Sequence, residues 1–62
     1  MELWELSDGR VWQLESQEDK IKVLNLDFGY TSPLRVGFFD SPQEVEKFAL
    51  NYLGLEIVMV VS

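Results

Sequence analysis

The sequence predicts a single small α+β domain of order β-β-β-β-α-β, with a mainly antiparallel sheet and one helix packed on one face. Three observations predict it. The chain has 62 residues, which allows one domain over residues 1–62 and no more. Short apolar runs separated by turn residues fill the first two thirds. A capped segment of helical period, Ser41 to Gly54, then precedes a final apolar run.

The first run, Leu3 to Leu6, leads through Ser7-Asp8-Gly9-Arg10 into Val11 to Glu15, a hairpin signal. A two-residue Asp8-Gly9 turn would scatter apolar and polar groups over both faces. A three-residue Ser7-Asp8-Gly9 loop, with Gly9 left-handed as a G1 bulge, instead pairs Leu6 with Arg10 and Trp4 with Trp12. Trp4, Leu6, Trp12 and Leu14 then share one face, and a buried face dictates register. The bulged turn is the expectation, with both indoles in the core.

Ser16 to Lys20 reads as a polar turn, and Ile21 to Phe28 as a third strand of imperfect alternation. Ile21 and Val23 fall on one parity, while Leu24, Leu26 and Phe28 fall on the other. A bulge, a twist or a strand covered on both sides would each explain this. Gly29 to Pro33, with Tyr30, Thr31 and Ser32, is a loop by composition. Leu34 to Phe39 is the fourth strand, with Leu34, Val36 and Phe38 expected on one face and Arg35, Gly37 and Phe39 on the other.

In the helix, Ser41 suits the N-cap, Pro42 the first turn, and Glu44 completes an S-x-x-E box. Val45, Phe48, Ala49, Tyr52 and Leu53 make one stripe that should be buried, and Gly54 is the stop. Leu50 falls outside the stripe beside Glu46 and Lys47. If it met Leu3 and Val11 in one patch, an interface would be indicated. Leu55 to Val61 is apolar at nearly every position, as in a strand covered on both faces. The helix crossover makes this strand parallel to the fourth and antiparallel to the first, giving the order 5-1-2-3-4. As an open edge it would be a liability, so a central position or pairing with a second copy is expected.

Composition then narrows function. A domain this short has a marginal core, and small domains often add disulfides, metals or partners. The sequence has no cysteine and no histidine, which removes disulfides and the commonest nucleophile, base and transition-metal ligands. Glu18-Asp19 is too short for a calcium loop, and no glycine-rich phosphate loop occurs. Asp27 and Asp40 read as an ordinary strand-end residue and the residue before the helix cap. No catalytic residue, metal site or cofactor is expected. The N-terminal residues lack a signal-peptide pattern and no run reaches the roughly 20 apolar residues of a membrane span, so a cytoplasmic location without membrane contact is expected.

The net charge is −6, concentrated in residues 1–19, where Glu2, Glu5, Asp8, Glu15, Glu18 and Asp19 face a single base, Arg10. This opposes direct nucleic-acid binding and permits a protein partner with a basic surface. The leading expectation is a small non-enzymatic interaction or regulatory module. Its contacts would be those six acids with Leu50, or self-association as a homodimer through a strand edge. The alternative is a phage-type inhibitor that mimics nucleic-acid charge to block a basic groove on a nucleic-acid enzyme. That alternative requires the six acids to form one negative surface without Arg10, Lys20 and Lys22 among them.

Overall fold

The computed structural model describes residues 1–26 and 34–62. Its elements are β1 (Glu2–Leu6), β2 (Val11–Gln17), β3 (Lys20–Leu26), β4 (Leu34–Phe39), α1 (Pro42–Phe48), a π-helical turn (Ala49–Leu53) and β5 (Ile57–Val61). The strands form one sheet of order β4-β3-β2-β1-β5, every adjacent pair antiparallel. Class, element order and strand order agree with the sequence reading. The expectations for Asp27, Phe28 and the Gly29 to Pro33 loop, with its Tyr30, Thr31 and Ser32, lie outside the described residues.

The first hairpin follows from Gly9. Its φ of 92° closes a turn in which Gly9 N–H donates to Leu6 O at 2.9 Å and Leu6 N–H donates to Arg10 O at 2.8 Å. Trp4 accordingly pairs with Trp12. The Asp8 carboxylate accepts from the Arg10 amide at 3.0 Å and binds its guanidinium at 3.1 Å, which fixes the loop locally. The second turn is tighter than composition suggests. β2 runs to Gln17 and β3 starts at Lys20, leaving Glu18 and Asp19, with Glu18 left-handed at φ 58°.

Among the described residues the buried core consists of Trp4, Leu6, Trp12, Leu14, Val23, Val45 and Ala49, flanked by Ile21, Val36, Phe39, Phe48, Leu55 and Ile57. The four hairpin residues expected to share a buried face do so. Val45 and Ala49 are fully buried beneath the helix, and burying a side chain such as valine contributes about 1.5–3 kcal/mol. Phe48 touches Trp12 and Phe39, at ring separations of 6.3 and 5.3 Å, which anchors the helix to the sheet.

Three expectations about packing are corrected. β3 pairs regularly with β2, and Ile21 and Val23 face the helix. Leu24 and Leu26 pair with Gln13 and Val11 on the face that no described element covers, so the broken alternation reflects a second apolar face. In β4 the register shifts opposite Val23 and Leu24, with Val36 as the extra residue. The bulge reverses parity within the strand, so Phe39 packs on the core while Phe38 pairs with Lys22 and is half-exposed.

The third correction concerns the helix. Ser41 is the N-cap, in extended conformation, and its Oγ accepts from Glu44 N–H at 3.3 Å with Pro42 next in the first turn. Gly54 ends the segment at φ 68°. Between them the last turn is π-helical, with Gly54 N–H reaching back to Ala49 O, and Leu55 N–H closing the end onto the same oxygen at 3.0 Å. A π-turn rotates each residue by less than the roughly 100° of an α-helix, so the stripe falls out of phase after Ala49. Tyr52 is 78% exposed and Leu53 40% exposed, rather than buried. Tyr52 instead stacks on the outer side of Phe48 at 5.2 Å.

Candidate interaction surface

The acids expected to bind a partner do not converge. Side chains alternate across a strand, so Glu2 lies on the helix-covered side with Trp4, and its carboxylate accepts from Trp4 Nε1 at 3.1 Å. Glu5 and Glu15 lie on the opposite face, where Glu5 pairs with Val11 and Glu15 with Lys22. Asp8 occupies the turn at one end of β2, and Glu18 and Asp19 occupy the turn at its other end. Seven residues of β2 separate those turns, roughly 23 Å at 3.3 Å per residue.

Bases are interleaved among these acids. Arg10 bridges Asp8, Lys22 sits opposite Glu15, and Lys20 donates to the Asp40 carboxylate. The hydrogen bond to Asp40, then the charge of Asp40 and to a lesser degree that of Asp19, raises the Lys20 pKa above its usual 10.5. Among the described residues the acids therefore form no single uninterrupted negative surface. This arrangement weighs against charge mimicry.

Leu50 is 55% exposed but does not join Leu3 and Val11, which lie on the uncovered sheet face. Instead it lines an open groove of about 310 Å³ between the end of the helix and the start of β5, with Glu46, Lys47, Leu55, Glu56 and Ile57. A volume so small and open is at the bottom of the range for small-molecule sites. Its floor of Leu50, Leu55 and Ile57 continues into β5.

Sequence reasoning raised the last strand as a possible open edge for self-association but named none of its residues as site residues. Among the described residues the strand ends the sheet, hydrogen-bonded to β1 on one side only, rather than lying covered on both faces. Val58, Met59, Val60 and Val61 are 50–57% exposed. A register shift between Glu5 and Leu6 makes Val58 the extra residue, so Ile57 and Val60 share the helix side while Met59 lies on the uncovered face beside Glu5. The segment from Ile57 to Val61 has no charge and no proline, two features that often blunt an edge, although the Val58 bulge is another that it does have. That absence was the available signal. The same face of the sheet as Met59 carries further apolar groups across its width, Leu3, Val11 and Leu24, and at the opposite margin Phe38, which lies under the Arg35 guanidinium at 5.6 Å.

Among the described residues no cluster of three potential metal ligands occurs, and no helix is long and apolar enough to cross a membrane. The chain matches no family model, no curated protein and no solved structure.

Proposed function

We propose that this chain is a small non-enzymatic protein-interaction module that engages its partner through the open β5 edge and the adjoining Leu50 groove. One observation carries the reading: a strand with no charge and no proline stands at the end of the sheet with four consecutive aliphatic side chains half-exposed. Such an edge offers unpaired main-chain donors and acceptors together with apolar side chains on both faces, which is the requirement for strand addition. The scattered, partly neutralised acids support solubility rather than a focused contact.

Affinity capture from the native host at low and moderate salt tests the reading. An apolar edge contact survives moderate salt, because screening acts on exposed charges. The captured protein should be lost with Met59→Lys and retained with Glu15→Gln and Glu18→Gln. Loss at moderate salt, or with the two glutamate variants alone, would transfer the site to the acidic residues.

A further inference from the structure

We infer that the partner of the β5 edge is a second copy of this chain, paired β5 to β5 about a two-fold axis to make a continuous ten-stranded sheet. The inference rests on the edge reading given above and adds the identity of the occupant.

Charge is the first argument. Each copy carries −6, so self-association is permitted only where a dyad brings no like charges together. Ile57 to Val61 meets that condition, because antiparallel self-pairing sets uncharged aliphatic residues against one another on both faces. The flanking groove is self-complementary too. It holds Lys47 as well as Glu46 and Glu56 around Leu50, so a two-fold can set the base of one copy against an acid of the other.

Area is the second argument. Half-exposed Val58 to Val61 with Leu50 offer on the order of 400 Å² of apolar surface per copy, about half of the ~800 Å² per partner of a standard interface. The outward main chain of β5 and the groove rim add to this. An interface of that extent suits a dimer that dissociates in the micromolar range. The other end of the sheet is a poorer match, because β4 carries the charged Arg35 where β5 carries no charge. Pairing β5 with itself therefore closes the assembly at two copies.

Sedimentation equilibrium of the whole chain from 1 to 500 μM provides the test. The wild type should move from the 7.2 kDa monomer toward twice that mass. Met59→Lys and Val58→Lys should remain monomeric with unchanged circular dichroism, and Phe38→Glu on the opposite edge strand should dimerise as wild type does. Should the lysine variants fail to fold, isotope-filtered NOEs in a mixed labelled and unlabelled wild-type sample decide. Contacts between β5 protons of different copies support the dyad, and their absence overturns it. A wild type monomeric at 500 μM overturns the second-copy inference alone, since capture lost with Met59→Lys would still uphold the edge reading. A dimer broken by Phe38→Glu and indifferent to Met59→Lys would overturn both, placing the contact at the β4 margin of the sheet.

Discussion

Trp12 and Asn25 face each other across β2 and β3, and each holds a buried polar atom, Nε1 and Oδ1, without a hydrogen-bond partner among the described residues. A donor and an acceptor on directly opposed residues thus remain unjoined. An unpaired buried polar group costs about 1–3 kcal/mol, so the pair is a local weakness in a small core. Asn25→Val removes the acceptor and suits a strand. It should leave stability unchanged or raise it by about 1 kcal/mol, read from the urea midpoint. A loss above 1 kcal/mol would show that Asn25 is satisfied in solution.

Val45 and Leu50 lie on one helix but differ completely in burial. Val45→Ala removes two methyl groups from a closed core and should cost about 2 kcal/mol, a large share of the stability of a domain this size. Leu50→Ala should fall within about 0.5 kcal/mol at concentrations where the chain is monomeric. Thermal melts of both variants check the contrast. Equal losses would mean that the helix is seated differently on the sheet.

Left-handed positions give predictions of opposite sign. Gly54 has open space where a Cβ would stand, so Gly54→Ala meets only the backbone penalty at φ 68° and should cost about 1 kcal/mol. Glu18 has a side chain in the same region of backbone space, at φ 58°. Glu18→Gly relieves that strain, partly offset by the greater freedom glycine gives the unfolded chain, and should stabilise by about 0.5 kcal/mol. Chemical denaturation of the two variants should move the midpoint in opposite directions.

The Lys20–Asp40 pair ties the second turn to the residue before the helix cap. The Lys20 pKa is raised, so the contribution of the pair is complete below the unfolded value near 10.5 and is lost as pH rises through the higher folded value. An NMR titration of the Lys20 side chain between pH 9 and 12 should give a midpoint above 10.5 that falls with Asp40→Asn. A midpoint indifferent to that substitution would show that the pair does not persist in solution.

The legible part of this fold was the part with local causes. Gly9 and the facing of Trp4, Leu6, Trp12 and Leu14 allow one register of the first hairpin, and Ser41, Pro42 and Gly54 mark the helix ends. The bulges at Val36 and Val58 and the π-turn were not legible. Each displaces apolar residues in runs that are apolar on both parities, so the pattern fits two placements equally well. Leu50 was recognised as lying outside the stripe, but its neighbours could not be read without knowing where β5 begins. The six acids were legible as charge and not as a surface, because the sheet distributes them over two faces and two ends.

The two register shifts fall where β4 and β5 meet their neighbours, while the β1–β2–β3 meander is regular. Bulges sharpen the local twist of a strand, and here one sits at each margin of the sheet. An edge as apolar as β5 would otherwise invite chain after chain to add on. With a bulge at each margin and the two margins unlike one another, open-ended growth into fibres lacks a repeating template.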